Sequence, residues 1–229
     1  MPERNWILID RNEEGNLNTL RVECFRHALS AANCGLRTNG DPSLIPLSSQ
    51  GEAQAQAMAG SHPARPDMII SSPMVRALST ALPTRRRFPE AAFSVWDDLA
   101  EFTFLAPGRF TRGSTLEMRR PLVDEYWRTA VPGYIDGPGA ESFSGFIGRV
   151  DSSIRSLNRL IDQRHVVVFG HGIHLLALRQ RIDRPDDEVD REFMHAFREH
   201  LLSAPIANGF AFTICIDSGS IRVDPHRCQ

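Results

Sequence analysis

The chain alternates short apolar runs, each about the length of a β-strand, with longer segments of helical periodicity. The clearest run is His165–Phe169, where three consecutive valines are typical of a strand buried on both faces. The clearest helix begins near Glu141, and apolar residues recur from there to Ile161 at the i, i+3, i+4, i+7 spacing. Strands that alternate with helices predict an α/β protein. We therefore expect a three-layer sandwich, with a mostly parallel sheet and helices on both faces.

Further strands are predicted at 21–25, 68–70, 93–96, 210–216 and 220–223, with a hairpin turn at Asp217-Ser218-Gly219 between the last two. Further helices are predicted at Gln50–Ala59, Met74–Leu82, Ile173–Arg181 and Asp187–Leu201, and one near Leu116–Arg128. The helix that starts at Met74 is expected to end near Pro83, because proline cannot donate the next helical hydrogen bond.

A length of 229 residues suits one domain, so we assign 1–229 to a single domain. Residues from about 102 to 140 interrupt the alternation with many prolines, glycines and aromatic side chains. A long irregular segment inside a compact domain is usually a lid or binding loop, so we expect an insertion of that kind here. Its aromatic side chains are expected to form local core more often than a substrate platform.

All 26 basic residues are arginine, and the chain contains no lysine. This excludes a Walker-type phosphate loop, which needs lysine, and Schiff-base catalysis. The formal net charge of −2 argues against nucleic acid or an anionic membrane as a partner. The apolar runs are too short to span a membrane, and the first residues do not resemble a signal peptide. Four cysteines without a C-x-x-C pair favour a reducing, cytoplasmic location and argue against zinc.

Candidate functional residues lie where the predicted parallel strands end. Open α/β sheets bind ligands at the carboxyl ends of their strands, so residues that follow different strands converge there. They are Arg26 and His27 after the first strand, Ser71, Ser72 and Arg76 after the second, Glu101 after the third, and Gly170-His171-Gly172 after the fourth. A second Arg-His pair, Arg164-His165, stands at the opposite end of its strand, and we interpret it as structural.

Five segments resemble the histidine phosphatase superfamily, in its phosphoglycerate mutase-like branch. Residues 26–33 (RHALSAAN) resemble the R-H-G-E-T-x-x-N opening of that family. Residues 46–55 resemble P-L-T-x-x-G-x-x-Q-A, and residues 71–81 resemble S-S-P-x-x-R-A-x-x-T-A. Gly170-His171-Gly172 resembles the second-histidine motif, and 205–209 precede what resembles the closing strand. The segments occur in the family order over nearly the whole chain.

The resemblance implies a role for each candidate residue. His27 would attack phosphorus and become a phosphohistidine, and His171 would hold the phosphoryl group from another side. Arg26 and Arg76 would pair with phosphoryl oxygens, since guanidinium binds them bidentately. Asn33 and Ser30 would add neutral donors, and Glu101 would exchange protons with the leaving group and with water. Neither a metal nor another cofactor is implied, and the partner would be a small phosphorylated substrate.

The chain departs from the family pattern at Ala28 and Leu29, which replace Gly-Glu. Ala28 adds a methyl group where backbone approaches phosphate, and Leu29 removes a carboxylate, so pocket geometry and substrate class stay open. We expect a metal-independent phosphatase that hydrolyses a small phosphomonoester. The alternatives are phosphoryl transfer of the phosphoglycerate mutase type and a weakened relative that binds phosphorylated ligands. A homodimer is one option for the assembly.

Overall fold

The computed structural model describes residues 19–36, 41–109, 115–217 and 220–224. The strands are β1 (Leu20–Arg26), β2 (Met68–Ser71), β3 (Ala92–Val95), β4 (His165–Gly170), β5 (Gly209–Asp217) and β6 (Ser220–Val223). The helices are α1 (Ser49–Ser61), α2 (Val75–Arg87), α3 (Leu116–Thr129), α4 (Phe143–Asn158), α5 (Gly172–Asp183) and α6 (Arg191–Ser203). Within these ranges, no helix is long and apolar enough to cross a membrane.

The six strands form one sheet in the order β3-β2-β4-β1-β5-β6. Strands β1 to β4 pair in parallel, whereas β5 is antiparallel to both of its neighbours. Arg26 is in register with Gly170, and Ser71 is in register with Phe169. The carboxyl ends of β1, β2 and β4 therefore lie next to one another, and this brings together the residues that follow each strand.

Alternate side chains of β4 enter two different hydrophobic clusters, one on each face of the sheet. Val166 and Val168 pack with apolar side chains of α4 and α5. Val167 and Phe169 pack on the other face with Ala81 of α2 and Met58 of α1. Helices thus cover both faces, and the predicted three-layer α/β architecture with a mostly parallel sheet is confirmed.

The predicted helices and strands are present, but some of them begin or end at residues other than those predicted. Helix α2 continues through Pro83 to Arg87, so the predicted end near Pro83 was wrong. Proline costs that turn one hydrogen bond, but its ring is buried, and three arginines at the carboxyl end favour the last turn. Helix α6 begins after Asp190, whose side chain accepts from the Phe193 N–H, and not at Asp187. The predicted turn residues Ser218 and Gly219, the first residues of the chain and Cys228 lie outside the described ranges.

In the described residues of the predicted insertion, there is one α-helix, α3, and a short 3₁₀ turn at Pro107–Arg109. Phe102, Tyr126 and Trp127 are buried in the larger hydrophobic cluster, as expected of local core. Phe104 is half-buried against Tyr126, with ring centroids 4.9 Å apart. Phe110 lies outside the described residues. Most of these aromatic rings therefore fix the segment onto the domain.

Candidate active site

His27 follows β1 directly, and the residue is 4% exposed. Its Nδ1 lies 2.7 Å from the Ala28 carbonyl oxygen, which can only accept, so Nδ1 carries the proton. Burial, together with the positive charge of Arg76, lowers the pKa of His27 to about 3, so the ring is neutral near pH 7. The unprotonated Nε2 is then left with a lone pair that can attack an electrophile.

Arg76 lies in the first turn of α2 and is also buried. Its Nε donates to the Nε2 of His27 over 3.1 Å, which is consistent with a lone pair on that nitrogen. Its two terminal nitrogens donate to the Pro42 carbonyl oxygen (2.6 Å) and to the Met74 sulfur (3.1 Å). These contacts hold a guanidinium against the nitrogen that would react.

His171 precedes the first residue of α5 and is fully buried. The centroids of the His27 and His171 rings are 5.2 Å apart. Its Nε2 lies 2.7 Å from the Ser72 hydroxyl, and the oxygen of that hydroxyl accepts from the Met74 N–H over 3.3 Å. Burial, together with the charge of Arg76, holds the pKa of His171 well below its usual value, so this ring is neutral too.

Two buried nitrogens at this position have no hydrogen-bond partner in the described part of the chain, the Nδ1 of His171 and the Nε of Arg26. Arg26 donates with Nη1 to the Ile206 carbonyl oxygen over 2.5 Å. A methyl group added to Gly172 would lie 3.3 Å from the Nε of Arg26, so glycine here lets α5 start close to the guanidinium. Buried polar groups are nearly always paired, so these two nitrogens are available to hydrogen bond with a polar ligand.

Glu101 lies at the amino end of α5. Its carboxylate accepts from the backbone N–H groups of Ile173 (3.2 Å), His174 (3.1 Å) and Phe102 (3.0 Å). A carboxylate in the first turn satisfies free N–H groups and interacts favourably with the helix dipole. Glu101 and Arg76 line one cavity of about 160 Å³, so the carboxylate is also within reach of a ligand at Arg76.

Ser30 and Asn33 form a local turn and hydrogen bond to each other. The Ser30 hydroxyl donates to the Asn33 side-chain oxygen over 2.9 Å, and the Asn33 N–H donates back over 3.3 Å. Ser30 is buried, whereas Asn33 is exposed. Among the described contacts, no hydrogen bond joins either side chain to the arginines and histidines of the site. The fold brings together five of the predicted residues: Arg26, His27, Arg76, His171 and Glu101. Ser30 and Asn33 follow His27 closely in sequence.

The two departures from the family pattern have local structural roles. The methyl group of Ala28 packs against Leu47 and Ala55, and its N–H donates to the Thr80 hydroxyl over 3.0 Å. Leu29 is held at both backbone atoms: its N–H donates to Gln54 (2.9 Å) and its carbonyl accepts from the Ser48 N–H (2.9 Å). The added methyl therefore points into core.

Ser72, a candidate to which the sequence assigned no role, hydrogen bonds to His171. Asn208 was missed as a functional candidate. Asn208 donates to the His27 carbonyl oxygen over 2.6 Å and so fixes the backbone of the candidate nucleophile. The signal for Asn208 was its place immediately before the last long strand, in Pro-Ile-Ala-Asn-Gly, but nothing local indicates which carbonyl its amide reaches.

A family model described as "Histidine phosphatase superfamily (branch 1)" matches residues 24–198. No curated protein sequence matches the chain significantly. In the residues that the structure describes, no group of three or more His, Cys, Asp or Glu side chains could hold a metal ion.

Several solved structures share the fold over 90% of this chain. One is a candidate α-ribazole-5′-P phosphatase from Escherichia coli, with TM-score 0.68, 20% identity and 95% of that chain covered. The α-ribazole phosphatase of Shigella flexneri has TM-score 0.66, 18% identity and 95% of its chain covered. A mycobacterial glucosyl-3-phosphoglycerate phosphatase has TM-score 0.66, 21% identity and 97% of its chain covered. At these identities the likeness establishes the fold.

Proposed function

The chain belongs to the histidine phosphatase superfamily, branch 1, and on that basis we propose that it hydrolyses a small phosphomonoester through a phosphohistidine at His27. The observation that carries the proposal is the state of the His27 ring. Its Nδ1 hydrogen bonds to a carbonyl oxygen, its pKa is lowered by burial, and its Nε2 faces the Nε of Arg76 at 3.1 Å. A neutral imidazole with an available lone pair beside a guanidinium suits attack on a phosphoryl group.

In the first step, the His27 Nε2 forms a bond to phosphorus and the bond from phosphorus to the ester oxygen breaks. The negative charge of the phosphoryl oxygens is stabilised by Arg26 and Arg76, with the free Nδ1 of His171 as a further polar contact. Glu101, entering this step as the acid, gives its proton to the departing alkoxide, which leaves as an alcohol. To do so it must release part of its contact with the amino end of α5.

In the second step, water attacks phosphorus and the bond from phosphorus to Nε2 breaks. The carboxylate of Glu101 takes a proton from that water, inorganic phosphate leaves, and His27 returns to its neutral form. Arg76 must release its hydrogen bond to Nε2 before the first step, because that lone pair forms the bond to phosphorus. In the second step the phosphoryl group stays between Arg26, Arg76 and His171 while the nucleophile changes to water.

The direct test measures hydrolysis of p-nitrophenyl phosphate with excess EDTA present, for the wild type and for His27→Ala. We expect wild-type turnover that EDTA leaves unchanged and at least 1,000-fold slower turnover in the variant. A short incubation with radiolabelled substrate followed by denaturation should leave label that is stable to base, labile to acid and absent from the variant. Equal rates in the two proteins would contradict the mechanism.

Incubation with a phosphoglycerate and a binding measurement with inorganic phosphate separate the alternatives. Isomerisation of a phosphoglycerate without release of phosphate would indicate a mutase. Tight binding of inorganic phosphate without turnover of any phosphomonoester would indicate a binding module.

A further inference from the structure

A cavity of about 160 Å³ is lined in part by Arg76 and Glu101, two residues of the candidate phosphoryl site. Its other walls are mainly apolar, contributed by Pro42, Met74, Phe102, Phe104, Leu105 and Val123. We propose that this cavity binds the ester group of the substrate and selects phosphomonoesters of alcohols that carry a single aromatic ring over those with a second acidic group. This inference rests on the proposed function and names the substrate class for it.

The walls of the cavity are fixed in place by the core. The Phe102 ring stacks on Phe146 with centroids 4.4 Å apart, and Phe104 lies against Phe102 at 5.3 Å. Met74 is held by the contact of its sulfur with the Nη2 of Arg76 at 3.1 Å. Side chains that are already ordered lose little conformational freedom when a ligand enters, so a preformed apolar wall favours binding of an apolar group.

The volume sets the size of the group. An apolar cavity of about 150 Å³ in another protein binds benzene, which shows that such a space holds one six-membered ring. The cavity here has a closely similar volume. The cavity therefore has room for one phenyl ring.

The charged side chains of the cavity offer little pairing for a second anion. Arg76 would be occupied by the phosphoryl group, and Glu101, the proposed proton donor, supplies no positive charge. Arg119 also lines the cavity, and it takes part in other interactions of the chain. Transfer of a carboxylate into these apolar walls costs far more than transfer of a phenyl ring, unless Arg119 exchanges its contacts for the ligand. An acidic substrate held by Arg119 is therefore the opposing outcome of the test.

The experiment compares kcat/KM for 2-phenylethyl phosphate, ethyl phosphate and 3-phosphoglycerate, with p-nitrophenyl phosphate as a reference. The first two release simple primary alcohols, so their difference reports the cavity and not the chemistry of the leaving group. We expect the phenylethyl ester to exceed the ethyl ester by about 10- to 100-fold, the range that burial of one aromatic ring predicts. We expect 3-phosphoglycerate to be no better than the ethyl ester.

Val123→Asn places an amide on the apolar wall and should lower the phenylethyl-to-ethyl ratio at least threefold. The matched control is Val131→Asn, the same change at a valine that lines a different cavity, and it should leave the ratio within twofold. Phe104→Ala should enlarge the cavity and raise kcat/KM for 2-(1-naphthyl)ethyl phosphate relative to the phenylethyl ester. Each ratio is taken on one preparation, so partial unfolding of a variant cancels.

Equal kcat/KM values for the phenylethyl and ethyl esters, with p-nitrophenyl phosphate hydrolysed normally, would overturn the inference and leave the proposed function in place. A preference for 3-phosphoglycerate that is lost in Arg119→Gln would also overturn it, in favour of an acidic substrate. Failure to hydrolyse every ester, including p-nitrophenyl phosphate, would overturn the proposed function and the inference with it.

Discussion

The two ring nitrogens of His27 have different environments, and this difference makes one of them available for reaction. The Ala28 carbonyl oxygen fixes the proton on Nδ1, and the Asn208 amide fixes the carbonyl oxygen of His27 itself. Orientation of this kind lowers the entropic cost of an in-line attack. The local sequence identified the histidine, but these two partners come from the next peptide and from the far end of the chain.

Arg76→Lys should lower kcat/KM for p-nitrophenyl phosphate about 100-fold, within the range that loss of one transition-state donor costs. Lysine keeps the positive charge but lacks the planar guanidinium. That group carries several N–H donors, which hydrogen bond to the His27 Nε2 and the Pro42 carbonyl oxygen and would also bind the phosphoryl oxygens. The control is Arg86→Lys, an exposed position on the same helix, where activity should not change. Activity of Arg76→Lys close to wild type would show that a residue other than Arg76 binds the phosphoryl oxygens.

The variant Glu101→Gln distinguishes two roles of Glu101, proton donation to the leaving group and capping of helix α5. Ethyl phosphate has a leaving group that needs a proton, whereas p-nitrophenolate leaves without one, so loss of a general acid should affect the first ester at least tenfold more. Loss of the hydrogen bonds to Ile173 and His174 would instead affect both esters alike. Comparison of kcat for the two esters is the measurement, and an equal fall in both would leave Glu101 with the structural role only.

Helices α1 and α5 both begin in contact with the strand ends that carry the site, and in each case a glycine permits the approach. A Cβ on Gly51 would lie 2.0 Å from the Leu29 carbonyl oxygen, which is impossible without movement of one backbone against the other. The periodicity of α1 predicts a helix, but it contains no information about this contact. The position of the helix relative to the loop after His27 follows from packing between segments.

Gly51→Ala should therefore destabilise the protein by about 1–3 kcal/mol, the usual cost of forcing atoms into a packed site. It should also lower activity, because Leu29 is two residues from His27. Gly60→Ala, on the same helix with open space at the added methyl, should instead stabilise by up to about 1 kcal/mol. Denaturant unfolding of the two variants measures both effects, and similar stabilities would show that α1 shifts freely.

Three buried histidines have lowered pKa values: His27, His171 and His174. They make the free energy of unfolding of the whole protein depend on pH. For His174, burial and then the charge of Arg149 lower the pKa to about 3. Below pH 6.5 the unfolded chain binds protons at these side chains and the folded protein does not. Stability must therefore fall as the pH falls through 6.5, and it is fully present above that value.

His174→Leu should remove about 1.4 kcal/mol from the difference between the unfolding free energies at pH 7.5 and pH 5.5, the contribution of one such histidine over that interval. Denaturant unfolding at the two pH values is the measurement. The exposed His195 provides the control, since His195→Asn should leave the difference unchanged. A difference equal to that of the wild type would show that His174 is protonated in the folded protein.

Glu23 adds a second acid-sensitive contact, away from the candidate site. Burial alone would raise its pKa, but hydrogen bonds with His165 and His62 and the charge of Arg21 outweigh burial and hold the pKa well below its usual value. This contribution is present above the unfolded pKa of about 4.3 and is lost as the pH falls further. His165, interpreted as structural, has this partner on β1.

Local patterns were sufficient to predict which segments form strands and helices, and which side chains follow the parallel strands. Apolar periodicity and the residues at strand ends act over a few positions, so they can be recognised along the chain. Strand order, the cap that Glu101 places on α5, the packing of Ala28 away from the site and the aromatic cavity beside Arg76 could not be predicted in this way. Each depends on contacts between residues far apart in sequence, which the register of β1, β2 and β4 and the packing of helices on the sheet bring within a few ångströms.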